Sequence, residues 1–320
     1  MMRTLALTAL ALSHTTITRA YRIKDTYRGQ DFFNRWWWET FDDPTHGRVN
    51  YVDIRAAQMA NLSYASDDRF IMRADAYQVV PPNGRGRDSV RITSHDAWGD
   101  SLVVLDLSHM PVGCTVWPAF WTLSSAGTWP KGGEIDIIEG VHMNTANLAS
   151  LHTTTGCSMS EPRGQKGQTV SADCDANVNY NQGCGTSFSS PNSYGTGFND
   201  AGGGWYVLER SSTQGISVWF WSRTDDSVPT SVSHGLGTIY PDPSWGPPEA
   251  HFSVDSCAHE TFFNDTHQMI FDITFCGDWA GTSFGTAGCG PGECNDFVDK
   301  NPDRFRDAYW EINSLHVYVP

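Results

Sequence analysis

The segment KGGEIDIIEG, residues 131 to 140, places Glu134, Asp136 and Glu139 within six positions and interleaves them with isoleucines. On a regular strand alternate side chains share a face, so residues 134 and 136 point together and residue 139 points away. One extra residue corrects the parity. If Ile137 and Ile138 form a β-bulge, Glu139 rejoins the other two acids, and bulges gather beside active sites because they re-aim a side chain. Two glutamates leaning over a shorter aspartate could bring their carboxyls to roughly 5 to 5.5 Å, the spacing used when a glycosidic bond is hydrolysed with retention. Three like charges so close cannot all ionise freely, which drives their pKa values apart and gives an acid and an anion at one pH. A calcium site and a solvated edge strand are the plainer readings of such a run. Calcium loops add Asn, Gly and backbone carbonyls in turns, whereas these acids alternate with isoleucine, so no calcium and no other metal or cofactor is indicated.

The elements that must position these acids are strands. Short alternating or β-rich runs recur along the chain, among them RFIMRADAYQVV, SVRITS, SLVVLDLSHM, GWYVLERSSTQGISVWFWSR, QMIFDITFCG and SLHVYVP, separated by Gly, Pro, Ser and Asp clusters. With no long amphipathic helix, the pattern predicts an all-β sandwich of two antiparallel sheets. Residues 157 to 204, rich in Asn, Gly, Ser and Thr with three cysteines, read as an extended loop excursion. No repeat and no Pro/Thr/Ser tether marks a second module. The expected organisation is a signal peptide over residues 1–20 and one catalytic domain over 21–320.

Composition narrows the class. The 320 residues carry 36 acidic against 21 basic side chains, a formal net charge of -15, which gives no general attraction to phosphates and makes nucleic acid an unsuitable partner. The opening MMRTLALTALALSHTTITRA has Arg3, an apolar run and then small residues, the pattern of a secretory leader; it is too short to span a bilayer, and no other run is long and apolar enough to do so. Eight cysteines, Cys114, Cys157, Cys174, Cys184, Cys257, Cys276, Cys289 and Cys294, form an even set suited to disulfides in an exported chain, with pairing left open among 105 connectivities. Structural zinc is the competing use, but CGPGEC lacks a matching pair at zinc-finger spacing. Asn61 in NLS and Asn264 in NDT are glycosylation acceptors consistent with export.

Aromatics surround the acids. Trp117 and Trp121 stand four apart in HMPVGCTVWPAFWTL, and His152 and Trp279 follow in SLHT and FCGDWAG. A flat indole offers apolar area to the C–H face of a sugar ring, while neighbouring polar groups fix the hydroxyls. Trp36, Trp37 and Trp38 are consecutive and cannot share one face of a strand, so packing on the sandwich is favoured over extension of the cleft.

At these residues the chain resembles glycoside hydrolase family 16, in particular its secreted fungal-type laminarinases. The family motif E-x-D-x-x-E is matched by Glu134, Asp136 and Glu139, and the likeness runs through DPTHGRVNYVD, SVRI, HMPVGCTVWPAFW, LHT, NSYG, GGGWYVLER, VWFW, FCGDWAG and AYWEINSLHVYV, roughly residues 40 to 320. The resemblance implies a β-jelly-roll whose concave face holds a cleft for a β-1,3-linked glucan cut internally with retention. It implies Glu134 as nucleophile, Glu139 as acid/base and Asp136 as the residue that tunes the nucleophile. It further implies Trp117, Trp121 and Trp279 as cleft aromatics, Arg91 as a sugar-binding arginine, His152 as a cleft residue near the acid/base, and Asn50 as a substrate contact. Where family members often read WPAAWETDEGDWP, this chain reads WPAFWTLSSAGTWP, which changes the polar groups beside Trp121.

The expected function is a retaining endo-glycosidase for laminarin-like β-1,3-glucan and mixed-linkage β-1,3-1,4-glucan, working as a monomer outside the cell without a cofactor. A cell-wall transglycosylase would use the same intermediate. A non-hydrolytic β-glucan-binding protein would lack the catalytic glutamates, and both are present here.

Overall fold

The computed structural model describes residues 19–320; the leader expected over residues 1–20 lies almost wholly outside them. Two antiparallel sheets stack face to face, as the alternating runs predict. The acid-bearing sheet has eight strands, in spatial order Gln168–Thr169, Cys184–Ser187, Leu148–His152, Glu134–Glu139, Val116–Ser124, His267–Phe275, Arg91–Trp98 and Trp36–Trp38. The opposing nine-stranded sheet is built around Tyr21–Tyr27, Tyr309–Val319, Ser101–His109, Gly204–Ser211 and Gly215–Ser222. A parallel pair, Val49–Tyr51 with Arg87–Ser89, stands apart from both. Among the described residues no α-helix exceeds the seven of Cys294–Lys300.

The core follows from strand parity. Ile135, Ile137 and Ile138 of the acid strand, with Phe120, Phe271 and Ile273 from its neighbours, are fully buried against Leu105, Leu208, Phe220, Ile312 and Val317 of the other sheet. Burying such side chains stabilises by about 1.5–3 kcal/mol each. The nine-stranded sheet is also covered on its far side, where Trp205, Trp219, Trp221 and Trp245 join Tyr21, Leu102, Val104 and Val207 in a second apolar cluster. That second layer explains why Gly204–Ser211 is buried at every position instead of alternating.

Two sequence expectations change. The segment 157–204 is not loop throughout: Gln168–Thr169 and Cys184–Ser187 extend the acid-bearing sheet beyond Leu148–His152. Their short, polar makeup carries no hydrophobic period, so only tertiary pairing reveals them. The tryptophan triplet forms an edge strand paired with Arg91–Trp98, and its middle ring departs from the packing expected of it.

All eight cysteines pair, as Cys114–Cys289, Cys157–Cys257, Cys174–Cys184 and Cys276–Cys294. Three bridges tie down connections that carry little regular structure, and Cys174–Cys184 closes the turn beside His152.

Candidate active site

The acid strand enters through Gly132 and Gly133, with φ of 82° and 84°, a left-handed conformation that glycine adopts freely. A Cβ on Gly133 would lie 2.3 Å from the Phe262 ring, so the close approach also requires glycine. From there Glu134 pairs with Leu123 and Asp136 with Trp121, after which the register slips: Ile138 faces Phe120 and Glu139 faces Ala119. This is the bulge the parity argument calls for. Ile137 and Ile138 both turn inward, and Glu139 returns to the face of Glu134 and Asp136.

The bulge has its own fastener. Asn147, completely buried, accepts a hydrogen bond from the Glu139 backbone N–H at 3.1 Å and donates its amide to the Ile137 carbonyl at 2.8 Å. One side chain thus satisfies backbone groups on both sides of the disrupted ladder, groups that would cost about 1–3 kcal/mol each if left unpaired. Sequence reasoning missed Asn147, because nothing in its local pattern announces a partner ten residues away on another strand.

Each acid has a defined environment. The Trp117 indole N–H donates to Glu139 Oε1 at 2.8 Å, and the Trp129 indole N–H donates to Glu134 Oε2 at 2.7 Å. Trp129, exposed and near the end of the loop preceding the acid strand, is a second residue that sequence reasoning passed over; its only signal was its place five residues before a candidate carboxylate. Asp136, 2% exposed, lies with its Oδ2 3.2 Å from His152 Nε2, and His152 Nδ1 is held 2.8 Å from Asn181 Oδ1. His152 pairs in register with Glu134, and its charge also acts on Glu139.

Burial and charge raise both glutamates. Burial and then the Asp136 charge raise the Glu134 carboxyl to about 7, with His152 and the Trp129 N–H pulling the other way. Burial and then the Asp136 charge push Glu139 well above the usual carboxylate range, with the Trp117 N–H and His152 pulling the other way. Both nevertheless keep part of their surface open to solvent. Burial pulls the His152 imidazole down, but hydrogen bonding and charge from Asp136, then Glu134 and Glu139, outweigh it and raise the group to about 10. Glu134, Asp136 and His152 offer atoms within 4.8 Å of one another, a spacing a metal could use.

A second charged group flanks the first. Asp272 accepts from the Trp121 indole at 2.9 Å and stands 3.7 Å from an Arg91 guanidinium nitrogen. Burial lifts its carboxyl to about 7, and Arg91 and Trp121 draw it back. Arg91 is itself sandwiched between the rings of Phe41 and Trp121, 4.9 Å from each, so its charge braces Trp121. Trp279 meets Trp117 edge-on at 5.8 Å. Asn50 sits off the sheet, held between Asp88 at 2.6 Å and Arg85 at 3.1 Å, and touches none of the three acids. Cavities of about 440 and 320 Å³, around Asp53–Ala60 and around Ser190–Asp226, share no lining residue with the acids.

The whole sandwich, not the triplet alone, has known counterparts. A family model described as "XgeA-like, catalytic GH16 domain" matches residues 36–318. The chain belongs to glycoside hydrolase family 16. It is 42% identical over 305 residues to a probable glycosidase of Schizosaccharomyces pombe, covering 94% of this chain and 70% of that protein. It is 38% identical over 314 residues to a probable endo-1,3(4)-beta-glucanase of Neosartorya fischeri, covering 94% of this chain but only 46% of that protein. Thus the chain spans about half the length of several of the fungal glucanases it matches. The solved family 16 laminarinase 16A of Phanerochaete chrysosporium, with 6-O-glucosyl-laminaritriose in donor and acceptor sites, is 44% identical with a TM-score of 0.89 over 94% of this chain and 100% of its own. An elongating family 16 beta-1,3-glucosyltransferase is 35% identical with a TM-score of 0.84 over 93% of this chain and 100% of its own.

Proposed function

We propose that this family 16 member is a retaining endo-glycosidase that cuts β-1,3-glucan and mixed-linkage β-1,3-1,4-glucan by double displacement. The observation that carries the reading is the bulge, which puts both glutamates on one sheet face with Asp136 between them. Glu134 attacks the anomeric carbon while Glu139 gives its proton to the departing oxygen; water, deprotonated by Glu139, then releases the sugar from Glu134. Burial and the Asp136 charge raise both carboxyls, so a proton is available to the site for the departing oxygen. Asp136 and protonated His152 set the local field, and the chemistry needs no cofactor.

The names of the similar laminarinase and glucanases support the substrate class. An open row of rings suits a chain that passes through, so internal cleavage is expected, with cellulose nearly inert. The apolar leader and the exposed Asn61 and Asn264 acceptors support an extracellular, glycosylated enzyme.

Transglycosylation is the second reading, favoured by the likeness to an elongating glucosyltransferase. Product analysis by NMR and chromatography at low and high laminarin concentration tests both. Oligosaccharides released with the β-anomer first support the main reading. Products longer than the substrate at high concentration shift it toward transfer, whereas glucose alone from chain ends or an initial α-anomer would refute it.

A further inference from the structure

The strand Trp36–Trp38 divides its three rings. Trp36 is 2% exposed and joins the core, and Trp38 packs against Phe33 with ring centroids 5.2 Å apart while its N–H reaches Ser63 Oγ. Trp37 turns the other way. Half of its surface is open, and His95, also exposed, lies against it with ring centroids 4.4 Å apart.

Register shows which face that is. Asp136 pairs with Trp121, Trp121 with Ile270, Ile270 with Thr93 and Thr93 with Trp37, so one unbroken row crosses the sheet from the middle carboxylate to the edge. Directly paired residues on antiparallel strands present their side chains to the same face. Trp37 therefore stands on the acid-bearing face, four strand spacings or about 19 Å from Asp136. That is a span of several sugar units. Phe41, also exposed, lies beside Arg91 between the edge and Trp121.

We infer that Trp37, backed by His95, is a distal platform on which a sugar ring of a long β-glucan stacks, on the side of the site marked by Trp121 and Arg91. A large indole left half open costs solvation that packing normally removes, and a flat ring at the end of a row of sugar-suited aromatics fits the C–H face of a glucosyl unit. The platform makes chain length a determinant of efficiency: short substrates fill the centre of the row, and longer ones reach its edge.

The inference rests on the glucan-cleaving reading, and its test separates the two. Specificity constants are measured for the intact protein on reducing-end-labelled laminari-oligosaccharides of increasing length, with Trp37→Ala and Trp37→Tyr beside the wild type. The expected result is that the gain in kcat/KM from the longest substrates falls roughly three- to tenfold in Trp37→Ala, the range of an aromatic stacking contact. The loss should appear in KM, and Trp37→Tyr should restore it. An unchanged length dependence in Trp37→Ala, with wild-type cleavage intact, overturns the platform alone. A wild type that leaves β-glucan uncut overturns the glucanase reading alone. The platform is then decided by fluorescence titration with the longest oligosaccharide, weaker binding by Trp37→Ala supporting it and equal binding overturning it.

Discussion

His152 Nε2 lies 3.2 Å from Asp136 Oδ2, and this contact places a positive charge near two glutamates whose carboxyls burial raises. The imidazole is raised to about 10 and so stays charged across the working range. Because it lowers the pKa of both glutamates, its removal shifts the balance of the site in a defined direction.

In a His152→Gln variant the Glu134 carboxyl should rise above its value of about 7. Loss of a neighbouring cation disfavours the carboxylate, so the acid limb of the kcat/KM profile should move to higher pH, by about one unit or more. A pH–rate series on laminarin checks this. An unmoved or downward-shifted acid limb would show that His152 does not act through the charge of Glu134.

The two glutamates should separate under azide rescue. Glu139→Ala should still form the glycosyl-enzyme from an aryl glycoside whose leaving group needs no proton, and azide should then yield a β-configured product. Glu134→Ala should give an α-azide by direct displacement, and each variant should lose about 10³-fold or more on polysaccharide. NMR of the azide products decides; exchanged configurations would reverse the roles.

Asn147→Ala should strand the Glu139 N–H and the Ile137 carbonyl in a dry interior, at a total cost of about 2–6 kcal/mol. Glu139 would lose its aim as the bulge relaxes, so kcat should fall more steeply than stability alone explains. Denaturant unfolding and kinetics below the melting range, measured together, check this; a variant with wild-type kcat would show that the bulge holds without its fastener.

Thiol titration of the unfolded, unreduced protein should find no free cysteine. Opening Cys114–Cys289, which spans 175 residues, by a double Ala substitution should cost about 4–5 kcal/mol in a chain-entropy account. Calorimetry would show a melting temperature lower by several degrees, and an unchanged one would mean that this bridge constrains little.

What could be read in advance was whatever depends on parity. Two isoleucines where one belongs announced the bulge, and the alternating runs announced two sheets. Contacts that depend on which strand lies beside which were hidden, so the hydrogen-bond partners of His152 and the pairing of cysteines stayed open. Asn147 and Trp129 act across a register and a loop end, and neither carries a periodic signature. The tryptophan triplet was half legible: parity forbade three rings on one face, but the identity of the inward face waited on its partner strand.

The nine-stranded sheet pairs Tyr21–Tyr27 directly with Tyr309–Val319, so its first described strand waits for its last. During synthesis the N-terminal edge emerges long before the segment that will cover it, and the Cys114 thiol likewise precedes Cys289. Closure over such sequence distances is slow, and strands exposed in the interval are open to pairing with the wrong chain. The order of translation therefore runs against the order of pairing, and the sheet cannot be completed until the last strand has joined the first.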